Sequence, residues 1–123
     1  MHAHAAQPLK LLGATGSPYS RKLRAVLRFR RIPHVWILRG SKDEGKVPEI
    51  AVRLMPVLVF PGPQGRYDEA AVDSTPLIRR LEREHAGRSV IPPDPVLAFL
   101  DALLEDYADE WLTKCMFHYR WAF

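Results

Sequence analysis

The stretch Gly16-Ser17-Pro18-Tyr19-Ser20-Arg21-Lys22 decides how the chain folds, because it turns a strand into a helix and leaves a hydroxyl at the junction. Before it, Leu9-Lys10-Leu11-Leu12-Gly13 is a short apolar run closed by Gly13 and Gly16, the pattern of a buried strand. After it, Leu23, Val26, Leu27 and Arg30 recur on one helical face while Arg and Lys occupy the remainder. Ser17 stands at the N-cap and Pro18 at the first helical position, where a fixed φ suits the helix and no N–H is needed. The unpaired N–H groups of that first turn, together with the helix dipole, favour an anion. A thiolate is one such anion, and a thiol held there has its pKa lowered. Ser17 therefore admits two readings: a helix cap alone, or a cap whose hydroxyl also donates to a thiolate brought in from outside.

Working outward, Arg31-Ile32-Pro33 ends this first helix, since the residue before a proline is pushed out of the helical region. His34-Val35-Trp36-Ile37-Leu38 is a β-branched and aromatic second strand, so the opening reads strand, helix, strand, a right-handed parallel crossover. Residues 39–54 are polar and broken by Gly40, Gly45 and Pro48, with a short irregular helix expected from Pro48 to Leu54. Met55-Pro56-Val57-Leu58-Val59-Phe60 is a third strand entered through a proline. Pro61-Gly62-Pro63-Gln64-Gly65 turns it, and Arg66-Tyr67-Asp68-Glu69-Ala70 returns antiparallel. Asp73-Ser74-Thr75-Pro76 repeats the capping pattern and opens a helix with Leu77, Ile78 and Leu81 inward and Arg79, Arg80, Glu82, Arg83 and Glu84 outward. Residues 87–95, rich in proline, form a linker. From 96 to 123 one long helix is expected, with an apolar stripe from Val96 to Cys115 and an end, Met116 to Phe123, too apolar to finish in water.

A chain of 123 residues with 47% hydrophobic content and a net charge of +4 makes one globular domain with a little left over. Its single cysteine, Cys115, permits no intrachain disulfide, which points to a reducing compartment. No run approaches a membrane span, and residues 1–7 lack the apolar core of a signal peptide and read as a disordered terminus, so a soluble cytoplasmic protein is expected. His2 and His4 on that terminus lack the fixed geometry of a metal site, and no metal is expected. The basic residues crowd between Arg21 and Arg31, and Phe29 alone among them is aromatic, too little for a stacking platform. A solvated helix face is the expectation there, with no nucleic-acid partner and no membrane.

Ser17-Pro18-Tyr19-Ser20 resembles a thioredoxin-type Cys-Pro-Tyr-Cys active site with both cysteines replaced. Together with Met55-Pro56 before a hairpin and Asp73-Ser74-Thr75-Pro76 before a helix, it resembles the glutathione S-transferase family. The resemblance implies an α/β (α+β) fold: a thioredoxin-like βαβ-ββα domain over residues 8–86, the linker 87–95, and over 96–123 the first helix of an incomplete all-helical domain. It implies glutathione as co-substrate, a small electrophile as second substrate, and a homodimer. Dithiol exchange is excluded, because a hydroxyl cannot form a mixed disulfide. Ser17 would face the glutathione sulfur. Met55 would pair through its backbone with the cysteinyl part, and Pro56, taken as cis, would hold that peptide. Asp73 would take the γ-glutamyl ammonium, while Ser74 and the helix N–H groups would take its carboxylate. Lys46, Arg53 and Tyr19 all stand as candidates for the glycine carboxylate. The remaining helices of the second domain are missing, so the sequence reads as a piece of a longer protein, and activity of this chain alone is in question. The rival reading is a non-catalytic module that uses the same fold for binding or dimerisation.

Overall fold

A computed structural model describes residues 7–52 and 54–122. The residues 1–6, with the histidines at 2 and 4 and most of the expected disordered terminus, lie outside the described residues, as do Arg53 and Phe123. The chain divides into two compact units, Met1–Arg88 and Ser89–Phe123.

In the first unit the elements run β1 (Leu9–Gly13), α1 (Pro18–Phe29), β2 (His34–Leu38), β3 (Val57–Phe60), β4 (Glu69–Val72) and α2 (Ser74–Glu84). They build a four-stranded sheet in the order β2-β1-β3-β4. β1 and β2 are parallel from Leu9↔His34 to Gly13↔Leu38. β3 is antiparallel to β1, with Leu12 opposite Val57, and to β4, with Val57 opposite Val72. This is the α/β arrangement that the residue order implies.

Both faces of the sheet are covered, which is why all of β3 is buried. Leu11 and its cross-strand partner Leu58 share the face occupied by α1, since a Cβ on Gly13, two residues along β1, would meet Ser20 of α1 at 2.9 Å. Leu23 and Leu27 of α1 and Leu77, Ile78 and Leu81 of α2 are the buried helical leucines and isoleucine of the unit. On the opposite face Leu12, Ile37, Val57 and Val59 form a second cluster, covered by Val47, Ile50 and Met55 from the β2–β3 connection. Gly13 is required by close approach: an added Cβ would also lie 2.5 and 2.7 Å from ring atoms of Trp36. Gly13→Ala should therefore cost about 1–3 kcal/mol in urea denaturation, the usual penalty of overpacking; an unchanged midpoint would mean that Trp36 swings clear.

α1 ends in a paired-hydrogen-bond cap. Ile32 N–H donates to Leu27 O at 2.9 Å and Arg31 N–H to Arg28 O at 3.1 Å, with Arg31 in the left-handed region at φ 57°. Arg30, on the apolar face beside Leu23 and Leu27, is 6% exposed. Its Nη2 donates to His85 O at 2.5 Å and Gly87 O at 3.2 Å, and its Nη1 lies 3.2 Å from Glu82 Oε1. Glu82, expected outward, is turned inward by this buried cation, its side chain only 12% exposed.

Other departures are local. β4 begins at Glu69 rather than Arg66, because Gly62 N–H donates to Arg66 O at 2.7 Å and Tyr67 hydroxyl to Pro8 O at 2.7 Å, holding 62–67 as a turn. The expected helix over 48–54 is absent among the described residues there, and a single helical turn at Glu44–Lys46 occurs earlier. The start of β4 is tied to α2 by Arg80, which binds both oxygens of Glu69 and, at 2.7 Å, Glu84 Oε1. This guanidinium holds the Glu69 carboxyl below its ordinary value of 4.5. A depressed folded pKa contributes stability above the unfolded value and loses it as pH falls. The stability gap between the wild type and Glu69→Gln, present at about pH 6, should close at about pH 2 as the carboxyl is protonated in both states.

The second unit is helical from Pro95 to Trp121: α3 (Pro95–Asp106), a π-helical segment Tyr107–Leu112, and α4 (Thr113–Trp121). Asp94 caps α3 by accepting from Val96 N–H at 3.0 Å and Leu97 N–H at 2.9 Å. The single helix expected over 96–123 thus contains a wider turn, where the Thr113 hydroxyl donates to Ala108 O at 3.0 Å and also to Asp109 O. No helix among the described residues is long and apolar enough to cross a membrane.

Candidate functional site

The site grows from the register of the sheet. Because Leu12 and Val72 both lie opposite Val57, the C-terminal end of β1, the entry to β3 and the C-terminal end of β4 fall at one end of the sheet. β1 leads through Ala14 to Ser17 and α1. β3 is entered through Met55-Pro56, and β4 leads straight into Asp73-Ser74 and α2. The N-termini of α1 and α2, both electropositive, therefore open toward the same end. Lys22 of α1 donates from Nζ to Thr75 Oγ1 of α2 at 3.4 Å, linking the first turns of the two helices.

Ser17 is half-buried and extended, and its Oγ accepts from Ser20 N–H at 3.2 Å. That bond uses a lone pair and leaves the hydroxyl hydrogen to be donated elsewhere. Ser20, fully buried, accepts from Ala14 N–H at 3.3 Å and so ties the loop after β1 to α1. The two serines divide the work: Ser20 braces the loop from inside, and Ser17 sits at its outer lip.

The Met55–Pro56 peptide bond is cis, as the resemblance implied. Among the described residues no hydrogen bond engages the Met55 backbone. Asp73 is exposed, makes no capping bond with its side chain, and adopts φ 76°, ψ 113°, a conformation that costs a non-glycine residue about 1–3 kcal/mol. Ser74, 3% exposed, is the first residue of α2. Ser17, Met55, Pro56, Asp73 and Ser74 are thus all brought to one end of the sheet.

The candidates for the glycine carboxylate fare differently. Lys46 is ion-paired with Asp43 at 2.6 Å. Tyr19 is half-buried in the first turn of α1, and Arg53 lies outside the described residues. Sequence reasoning missed a cleft of about 360 Å³ between the sheet residues Leu12 and Val57, the Met55 side chain, and Val47, Pro48 and Ile50. Arg39, Glu44 and Glu49 line the same cleft. A signal for it was present: Arg39 directly follows β2, which runs parallel to β1, so it must emerge at the same end of the sheet as Ala14. Its N–H donates to Gly13 O at 2.9 Å.

Residues 11–89 match the profile described as glutathione S-transferase, N-terminal domain. No curated protein matches the chain. Among solved structures, a Tau class glutathione S-transferase from mango, Mangifera indica, is 25% identical, with a TM-score of 0.64 over 85% of this chain and 46% of that one. A glutathione S-transferase from Methylobacillus flagellatus with glutathione bound is 26% identical, with a TM-score of 0.57 over 82% of this chain and 48% of that one. One from Methylobacterium radiotolerans, in complex with glutathione sulfonate, shares the fold at 24% identity and a TM-score of 0.66, over 84% of this chain and 47% of that one. The chain spans about half the length of these structures.

Proposed function

Because this chain belongs to the glutathione S-transferase family, we propose that it binds glutathione across the end of its sheet and stabilises the thiolate for attack on a small electrophile. The observation that carries this reading is the register that brings Ser17, Met55 and Asp73-Ser74 together. An amino-acid zwitterion needs an anion beside a helix N-terminus, and Asp73 followed by Ser74 supplies both. The Met55 backbone offers an N–H and a C=O to an extended peptide, as an added strand does at a sheet edge. The sulfur then lies by Ser17, whose hydroxyl donates to S⁻ while the α1 dipole lowers the thiol pKa. The thiolate forms a bond to the electrophilic carbon, and either a leaving group departs or the electron pair moves onto an adjoining acceptor. This chemistry draws on no metal. The reading also carries a homodimer, a cytoplasmic setting, and further helices to complete the electrophile pocket.

Calorimetric titration with glutathione tests it. Saturable heat is expected, and Asp73→Ala should weaken binding about 10-fold or more by removing a charge-assisted hydrogen bond. Asp73→Gly should weaken binding as much while raising the melting temperature, since glycine adopts the positive φ without strain. Equal affinity in wild type and both variants would reject the role of Asp73. A well-folded wild type that gives no heat would favour the non-catalytic module.

A further inference from the structure

β2 is an outer strand of the sheet: β1 pairs with one of its edges, and among the described residues nothing pairs with the other. Which backbone groups face outward follows from the two ends of the ladder. Leu9 N–H donates to Pro33 O and Arg39 N–H to Gly13 O, both at 2.9 Å, so residues 33, 35, 37 and 39 turn their backbone groups toward β1. His34 and Trp36 therefore turn N–H and C=O outward, as Leu38 does its N–H, and no backbone hydrogen bond engages these groups among the described residues. The strand, His-Val-Trp-Ile-Leu, holds neither the lysine nor the proline that commonly blunts an edge.

Beside this edge runs a row of arginines. Arg21, Arg24 and Arg28 recur at helical spacing on one flank of α1, away from the flank where Lys22 and Arg30 bind Thr75 and Glu82 of α2. Arg24 fixes the position of the row, because its guanidinium stacks on the Trp36 ring at 4.7 Å. Arg21 and Arg28 are exposed, and among the described residues no ion pair engages any of the three and Arg24 Nε finds no hydrogen-bond partner. Residues 18–42 contain no acid.

We infer that the free edge of β2 receives an extended acidic segment of another protein as an added strand, its carboxylates at alternate positions facing Arg21, Arg24 and Arg28. Alternate residues on one face of a strand lie about 6.6 Å apart, near the rise of about 4.5–6 Å between successive arginines of the row. The intervening residues fall on the opposite face, where Val35 is exposed, so apolar side chains suit them. The two features together select a peptide: a nucleic acid would use the arginines and leave the outward N–H and C=O groups unmatched, whereas an added strand satisfies both. A second copy adding its own β2 about a two-fold axis normal to the sheet would set two arginine rows against each other. The inference draws nothing from the proposed glutathione site.

The test follows a fluorescein-labelled hexapeptide alternating glutamate and valine by fluorescence anisotropy. It should bind the wild type saturably, and its glutamine counterpart about 10-fold or more weakly. Arg21→Gln with Arg28→Gln, both at exposed positions, should keep the melting temperature and weaken binding about 10-fold or more. N-methylation of one alternate set of peptide residues should abolish binding and of the other leave it nearly unchanged, since only every second N–H of an added strand faces β2. The two sets behaving alike overturns strand addition. Unchanged affinity in the arginine variant or for the glutamine peptide overturns the acidic partner, and so does a wild type that fails to bind the hexapeptide. A single-stranded oligonucleotide that displaces the peptide at lower concentration than unlabelled peptide does overturns the inference in favour of nucleic acid. A sedimentation mass that falls when peptide is added overturns it in favour of a second copy at the edge.

Discussion

Ser17→Ala should raise the pKa of the bound glutathione thiol by about 1–2 units, corresponding to about 1.5–3 kcal/mol for one hydrogen bond to a charged group. The thiolate absorbance of the complex, followed against pH, reads this directly. The effect has two physical parts that the variant separates. The helix dipole and the N–H groups of the first turn survive the substitution, because the backbone of α1 is held by Ser20 to Ala14 and by Arg21 N–H to Ser17 O at 3.1 Å. What is lost is the Ser17 hydroxyl, whose hydrogen the bond accepted from Ser20 N–H leaves unused. The same substitution removes the bond that Ser17 Oγ accepts from Ser20 N–H, so stability should fall by about 1 kcal/mol as for any lost N-cap. Ser17→Thr retains both the cap and the donor and should keep the low thiol pKa. If Ser17→Ala lowers the melting temperature while the thiol titrates unchanged, Ser17 is a cap and nothing more.

Arg30→Ala should cost about 3–5 kcal/mol in urea denaturation, the penalty of removing one member of a buried ion pair. Three acceptors, Glu82, His85 O and Gly87 O, converge on this guanidinium. Without it Glu82, nearly buried, loses the cation that faces it, and two carbonyls lose a donor. Arg30→Met combined with Glu82→Leu should recover most of the loss, since an apolar pair of similar volume avoids the desolvation of two charges. A single-variant cost below about 1 kcal/mol would show that water replaces the guanidinium at little expense. The consequence reaches the site. α1 and α2 are joined at their C-terminal ends by Arg30 and near their N-terminal ends by Lys22 and Thr75. Loosening the first joint should weaken glutathione binding in Arg30→Ala even where the variant is fully folded.

Much of this molecule is legible in the residues one at a time. Ser17 with Pro18, and Ile32-Pro33 after Arg31, place helix ends, because capping and proline act within a few bonds of the chain, whereas Asp94 and Pro95, read as the end of a linker, turn out to cap and open α3. The apolar spacing of Leu23, Leu27, Leu77 and Leu81 places the buried faces for the same reason of short range. Residues 66–68 were harder, since their strand-like pattern is overridden by contacts from Gly62 and Pro8, one of them 59 positions away. The wider turn at Tyr107–Leu112 leaves no composition signal and depends on where the Thr113 hydroxyl donates.

By itself the sequence determined the four strands and the first two helices, their order and the three capped or proline-marked corners, all of them set by local sterics and hydrogen bonding, but not the 3-10 turn at Glu44–Lys46 or the π turn. Only the tertiary structure decided that the corners meet, that Glu82 turns inward, and that Arg39 opens onto a cleft beside Met55. Those outcomes depend on strand register and on charge placed across the sheet and between helices, which pair residues tens of positions apart and therefore have no local signature to read.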